Sequence, residues 1–284
     1  MVRYNYTQEE SIVKMEARKL KNIYICFPEG KHKVLTMSYD DGREEDRRLV
    51  SIFNQYGIKG TFHVNAGITQ DNRIPLSEYR TLYRGHEVSC HTYTHPTMAR
   101  CPIDQVAEQI IEDRRQLEKA VGYPVRGMSY PNGSYSKKII DLLPSLGIRY
   151  SRIVGNSEHF YMPENFLEWK ATCHHNHKLL QLGEEFINLN KTQYLYIMYV
   201  WGHSYEFTQD DNWNVIEDFC KMVAYKDDIW YATNIQIVDY MEAADRLQFT
   251  ITGDLVYNPS YQSVWISVDD QIYEIRGGQT VFLA

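Results

Sequence analysis

Between residues 33 and 245, short apolar runs and longer amphipathic stretches take turns along the chain. The run KVLTMSY (33–39) predicts a strand that ends on Asp-Asp-Gly. In REEDRRLVSIFNQYG (43–57) the acidic residues come early, Leu49, Val50, Ile52 and Phe53 share one helical side, and Gly57 provides a stop, which predicts a helix. KGTFHVNAG (59–67) and HEVSCH (86–91) predict two more strands, with a helix between them over 75–85 that has Pro near its start and Gly at its end. The clearest helix covers 102–122, where Val106, Ile110, Leu117 and Val121 hold one face and charges the other. The alternation continues as strand into loop (125–133), helix (136–147), strand (148–154), helix (179–190), strand (193–203), helix (212–225), and a closing strand and helix (228–246).

Strands separated by helices imply a parallel sheet with right-handed crossovers. About seven such units favour a closed or nearly closed barrel over an open sheet. After residue 246 the pattern changes to alternation at period two, with turn signals at Gly253-Asp254, Asn258-Pro259, Asp269-Asp270 and Gly277-Gly278. This predicts a small antiparallel β appendage, expected to cap the barrel rather than to serve as a sugar-binding flap. The chain is therefore divided into an N-terminal extension (1–32), a barrel (33–245) and a β-rich appendage (246–284).

Composition narrows the classes of function. A net charge of −7 without a basic patch argues against nucleic acid or an anionic membrane as partner, since both need a cationic footprint. No run approaches the roughly 18 apolar residues that span a bilayer, and MVRYNYTQEESIVKMEARK (1–19) has no apolar stretch resembling a signal peptide. The five cysteines are scattered with no CxxC pair, which fits a reducing compartment and gives no disulfide framework. A cytoplasmic location is expected. The 23 tyrosines suit a polar, ring-shaped ligand such as a sugar, although packing is the commoner use of any one of them.

The polar residues fall at strand ends: Asp40-Asp41-Gly42 after the first, His91 and His95 after the third, Tyr130-Pro131-Asn132-Gly133 after the fourth, and Trp201-Gly202-His203-Ser204 after a late one. In a parallel barrel all these ends open on one face, so four sequence-distant clusters map onto one mouth. Two neutral imidazoles and one carboxylate make a three-ligand site suited to Zn²⁺ or a similar divalent ion, with a position left for water or substrate. Of the two adjacent aspartates, one can bind metal while the other takes a proton from water. His203 is placed to protonate a leaving amine or alkoxide. Each feature alone is weak, because a histidine pair spaced by four and an Asp-Asp-Gly turn both arise by chance; their succession at strand ends in matching order is not accidental. Cys173, His174, His175 and His177 in TCHHNH (172–177) fit no structural zinc pattern, and no separate metal site is expected there.

At these residues the sequence resembles the polysaccharide deacetylase family, also called the NodB-homology domain or carbohydrate esterase family four, over roughly residues 33–245. The family's first motif, T-F-D-D-G, is matched by Ser38-Tyr39-Asp40-Asp41-Gly42, and its second, H-[ST]-x-x-H, stands intact as His91-Thr92-Tyr93-Thr94-His95. The proline and glycine of the third motif stand in Tyr130-Pro131-Asn132-Gly133, and the late histidine in His203. The resemblance implies a distorted (β/α)7 barrel that removes acetyl groups from N-acetylated, sometimes O-acetylated, sugars. It implies Asp40 as general base, Asp41, His91 and His95 as ligands of a divalent metal (Zn²⁺, with Co²⁺ or Ni²⁺ as alternatives), and His203 as general acid. An acetylated glycan or amino sugar is the implied partner.

Two departures stand out. The family's third motif carries Arg two residues before the Pro, where it pairs with the base; here that residue is Ser129, and Arg126 is the candidate partner instead. The fourth motif, Asp-rich before a Trp, is reduced to Glu168 and Trp169 in NFLEWKAT. Tyr130, Pro131, Trp169, Trp201 and Tyr205 are candidate walls for a sugar ring or an acetyl methyl. Two other functions compete: hydrolysis of a non-sugar amide, as in allantoinase-like members of the superfamily, and carbohydrate binding without catalysis. The retained Asp41, His91 and His95 speak against the first, and a retained Asp40 base against the second.

Overall fold

The computed structural model describes residues 20–70 and 72–283; the first 19 residues, on which the expectation of no leader rests, lie outside that range. A strand β1 (Ile23–Cys26) precedes β2 (Lys33–Asp40), α1 (Asp46–Gln55), β3 (Gly60–Val64), α2 (Tyr79–Leu82), β4 (Glu87–Cys90) and α3 (Ile103–Val121). Then come β5 (Gly127–Ser129), α4 (Lys137–Leu142), β6 (Tyr150–Asn156), β7 (Trp169–Ala171), β8 (Cys173–His174), α5 (Leu179–Ile187) and β9 (Tyr196–His203). The chain continues through α6 (Ser204–Gln209), α7 (Trp213–Val223), β10 (Ile229–Tyr231) and α8 (Asn234–Asp245). It ends in β11 (Gln248–Phe249), β12 (Leu255–Tyr257), β13 (Val264–Val268), β14 (Gln271–Ile275) and β15 (Thr280–Phe282).

All eight residues of β2 are buried, as in a parallel strand covered on both faces. β2 pairs in parallel with β9 along its whole length, and on its other edge with β10 at its start and β3 at its end. From β3 the parallel order runs through β4, β5 and β6 to β7. β7 pairs with β6 and β8 pairs with β9, with only Thr172 between the two. Segment 169–174 is therefore the stave that closes the ring: β2, β3, β4, β5, β6, β7/β8 and β9 form the distorted seven-membered α/β barrel. This strand is not among those expected from the sequence: Trp-Lys-Ala-Thr-Cys-His alternates apolar and polar residues, but the stretch is only six residues long and has no turn signal on either side. Only the open edges of β6 and β9 make it one.

Two expected helices are shorter than their apolar pattern. The 75–85 stretch gives a 3₁₀ turn (Leu76–Glu78) and the single α-turn α2. The 136–147 stretch gives α4 and then a 3₁₀ turn (Leu143–Leu146), where Pro144 has no N–H to continue the α ladder. α3 keeps its full length. Its buried stripe contains Val106, Ile110, Leu117 and Val121, each aliphatic side chain contributing about 1.5–3 kcal/mol, and also one carboxylate, Asp113.

The tail is β-rich as expected and forms two small antiparallel sheets, β1-β13-β14 and β11-β12-β15, around Val256, Ile266, Val268, Ile275 and Leu283. β1, from ahead of the barrel, is thus a strand of the appendage sheet. Tyr240 of α8 fastens that sheet to the barrel: its hydroxyl donates to the Cys26 carbonyl (2.5 Å) and accepts from the Trp265 N–H (2.9 Å). Among the described residues no helix is long and apolar enough to cross a membrane.

Candidate functional site

Asp40 is the last residue of β2 and lies in register with His63 on β3 and His203 on β9. Beyond it the backbone turns sharply, with Asp41 at φ +85°. On the next strand but one, His91 follows β4, and Thr92 and His95 both adopt left-handed backbone (φ +62° and +56°). These turns aim three side chains at one point: a ligand atom from each of Asp41, His91 and His95 lies within 4.8 Å of the other two.

The donor set fits a divalent cation. The His91 Nδ1 faces the Ser129 carbonyl (3.0 Å) and the Ser129 Oγ (2.7 Å). A carbonyl can only accept, so Nδ1 carries the proton and Nε2 keeps its lone pair, the arrangement usual for a metal-binding imidazole. Burial pushes the His91 pKa down to about 4, against the opposing pull of Asp40 and Asp41, so the ring is neutral at neutral pH.

Asp40 is buried, and its two carboxylate oxygens have different partners. Oδ1 accepts from the Ser129 hydroxyl (3.1 Å) and Oδ2 from the Arg152 guanidinium, while His91 Nε2 stands 3.9 Å from Oδ2. Burial raises the Asp40 pKa, but Arg152 together with His91, His63 and His203 outweighs it and holds the carboxyl well below the usual carboxylate range. The expectation that Arg126 serves as partner is corrected: Arg126 makes a bidentate pair with Asp239 of α8 (2.7 and 2.7 Å) and does not reach Asp40. The cation comes from Arg152, one strand over.

At the opposite wall, Glu206 stands one helical turn after His203 and closes a capping box on α6, with its Oε1 at 3.1 Å from His203 Nδ1. Burial lowers the His203 pKa, yet the Glu206 bond and the charges of Asp40, Glu206 and Asp41 raise it overall. The same Glu206 lies 3.1 Å from both His174 Nε2 and His175 Nε2. The three groups are close enough to suggest a second ion. The protons argue otherwise: His174 Nδ1 accepts from the Asn176 backbone N–H (3.2 Å), so the neutral ring carries its proton on Nε2, the reverse of His91.

The candidate substrate walls fare unequally. Tyr130 is buried, stacked on Tyr135 and bonded through its hydroxyl to the Leu167 carbonyl, and Pro131 is buried beside it. Trp169 is a core residue packed by Tyr150, Phe166 and Tyr199. Trp201 is covered by Arg152, whose guanidinium lies 4.3 Å from its ring. None of these four presents a wall: the three aromatic rings are packed by neighbours and Pro131 is buried. Tyr205 is half-buried, next to His203 (5.2 Å between rings) and under Arg43.

Several residues of the site carry little sequence signal. Arg152 carries none, and neither does Arg73, which donates to the Asp41 carbonyl. Glu206 is detectable as the carboxylate three residues after His203. Asp113 interrupts the apolar stripe of α3, and its carboxylate accepts the Ala66 N–H (2.7 Å) and the His91 N–H (3.0 Å).

Fold and site thus define an α/β barrel with a His-His-Asp cluster and a buried carboxylate at the carboxyl rim of its strands. Residues 28–151 match the family model described as polysaccharide deacetylase. The matched stretch contains the first two motifs and Tyr130-Pro131-Asn132-Gly133 of the third, so the barrel region is similar to the polysaccharide deacetylase family. The chain is 25% identical over 128 residues to a chitooligosaccharide deacetylase of Sinorhizobium fredii, covering 45% of this chain and 54% of that protein. It is 27% identical over 101 residues to a peptidoglycan-N-acetylglucosamine deacetylase of Bacillus cereus (35% and 36%), and 25% identical over 137 residues to the uncharacterized protein YlxY of Bacillus subtilis (48% and 42%). The aligned part spans about half or less of these relatives. In fold the chain is similar to a Mycobacterium smegmatis protein provisionally assigned as a polysaccharide deacetylase, with a TM-score of 0.61 and 18% identity over 78% of this chain and 94% of that one.

Proposed function

We propose that the chain is a metal-dependent hydrolase that removes an acetyl group from an N-acetylated or O-acetylated sugar or polysaccharide. The observation that carries this reading is the convergence of Asp41, His91 and His95 beside the buried Asp40. The relatives named as deacetylases of chitooligosaccharide and peptidoglycan support an acetylated glycan as substrate.

In this reading Asp41, His91 and His95 hold the cation, with Zn²⁺ the first choice for an imidazole-carboxylate set and Co²⁺ or Ni²⁺ able to replace it. When bound, such an ion polarises the acyl carbonyl and lowers the pKa of water toward neutrality. Asp40 accepts the proton of the attacking water. Arg152 favours its ionised form, and Ser129 donates to the same carboxylate, which makes it a weak base, sufficient only for a water that is already acidified. His203, whose pKa Glu206 raises, gives its proton to the leaving amine or alkoxide. Tyr205 lines the approach to His203. All five cysteines are free, four of them buried, which supports the reducing, cytoplasmic setting we propose and which fractionation of the native cell tests.

The test is acetate release from chitin oligosaccharides, peptidoglycan fragments and acetylated xylan, with Zn²⁺, Co²⁺ or Ni²⁺ added. Activity that needs the metal, and that His91→Ala loses along with bound metal, supports the reading. Acetate release unchanged by chelation and by His91→Ala would reject it.

A further inference from the structure

The candidate ligands sit on strained backbone. Asp41 (φ +85°), Thr92 (φ +62°) and His95 (φ +56°) all lie in the left-handed region although none is glycine. Such conformations cost roughly 1–3 kcal/mol each and persist only where surrounding bonds hold them. The ligands also come from two loops separated by 50 residues of chain, so some group must fix one loop against the other.

Asn65, just past the end of β3 and 2% exposed, lies between those loops. Its Nδ2 donates to the His91 carbonyl (2.5 Å) and to the Thr92 carbonyl (2.8 Å), which fills both amide hydrogens. Its Oδ1 accepts from Arg73 Nη1 (3.1 Å). The same Nη1 donates to the Asp41 carbonyl and lies 3.5 Å from the Asp41 carboxylate. Because carbonyls only accept and guanidinium only donates, the orientation of the Asn65 amide is fixed by its partners. Asn65, with every polar atom in use, and Arg73 together thus link the His91 turn to the Asp41 turn. Asp113 braces the first turn from the other side through the His91 N–H (3.0 Å).

We infer that Asn65, acting through Arg73, is a positioning residue that couples Asp41 to His91 and pre-organises the metal ligands. The inference rests on the reading that these residues hold a divalent ion. Asn65 touches neither the ion nor the substrate. It sets the backbone from which two ligands project, so its loss acts on affinity for the cation more than on the fold, as loss of a bond behind a metal ligand generally does.

The experiment is Co²⁺ titration of the full chain, read by d–d absorption and by competition with a chelator of known affinity. Wild type, Asn65→Leu, Arg73→Met and Arg73→Lys are compared with Ile216→Ala, a core change in α7 remote from both loops. Asn65→Leu and Arg73→Met are expected to bind Co²⁺ about 10- to 100-fold more weakly with an altered absorption band, and Arg73→Lys to recover part of the loss. Ile216→Ala is expected to lower Tm and leave affinity and band unchanged. Wild-type affinity in both Asn65→Leu and Arg73→Met overturns the inference. So does an equal loss in Ile216→Ala, because the effect would then be general destabilisation. If Asn65→Leu does not fold, Arg73→Met decides, since it leaves the Asn65 bonds to the His91 turn in place. Failure of the wild type to take up Co²⁺ would instead reject the metal reading itself, and the inference with it.

Discussion

Ser129 and Arg152 are register partners on the adjacent strands β5 and β6, and each occupies one oxygen of the same carboxylate, that of Asp40. Ser129 stands where the resemblance expects an arginine, and the arginine is found directly across the strand pair. Neighbouring strands lie about 4.8 Å apart, a gap that the longer reach of an Arg side chain easily spans.

Removing this guanidinium is expected to be felt in two ways. Arg152→Met leaves Asp40 buried without a counter-charge, which costs about 3–5 kcal/mol of stability. The surviving activity should lose its acidic limb at higher pH: Asp40 acts as carboxylate, its pKa rises without Arg152, and the limb follows by about 1–3 pH units. The double variant Ser129→Arg/Arg152→Ser returns the charge to the neighbouring strand and should restore both. Arg126→Ala, which breaks only the pair with Asp239, should leave the limb unmoved. A pH profile of kcat/KM for the four proteins checks this, and an unshifted limb in Arg152→Met defeats it.

Glu206→Gln should move the opposite limb. His203 acts protonated, and the Glu206 carboxylate is a main reason its pKa is raised. With a neutral amide in its place, His203 loses its proton at lower pH, so activity falls off earlier as pH rises. An unchanged basic limb would mean that His203 is not the acid.

Gly202 precedes His203, and a methyl group there would collide with the His175 ring at Nδ1. His175 is stacked between Tyr39 and Phe207. Gly202→Ala is therefore expected to push His175 away from Glu206 and to destabilise the chain by about 1–3 kcal/mol, as overpacking does. Denaturant unfolding measures it, and a variant as stable as wild type would show that the ring can move.

Glu87 predicts a trend in stability rather than activity. Burial lifts its carboxyl to about 7, against bonds from the Ile235 N–H, Tyr150 and Thr61 that favour the charged form. In the unfolded chain it titrates near 4.3, its ordinary value. Between about 4.3 and about 7 the folded chain holds a proton that the unfolded chain has released, so stability falls as pH rises through that window. Glu87→Gln removes this contribution, and its Tm should decline less steeply than wild type over the same range. Parallel Tm–pH curves would contradict the assignment.

What could be read from residues alone was what local chemistry dictates. The run KVLTMSY (33–39) predicts the strand β2, the spacing of Val106, Ile110, Leu117 and Val121 predicts α3, and strand ends bring together His91, His95 and one of the two adjacent aspartates, with Asp41 assigned as the ligand by the family resemblance. Each of these depends on neighbours within a few positions, or on the rule that parallel strands share one rim.

Pairing across the sheet was decided only in three dimensions. Segment 169–174 is a strand because β6 and β9 leave edges on either side of it. Arg152, not Arg126, meets Asp40, because register puts residue 152 opposite residue 129 while Arg126, ahead of β5, turns outward to α8. Trp169 and Tyr130 pack in the core, where large aromatic surface is driven to be buried. Asn65 and Arg73 join two ligand loops through contacts of high sequence separation, and a one-dimensional pattern holds no record of them. The order of residues determined which groups the rim could offer; the closing of the barrel selected among them, because hydrogen bonds and ion pairs form between atoms that packing brings within reach.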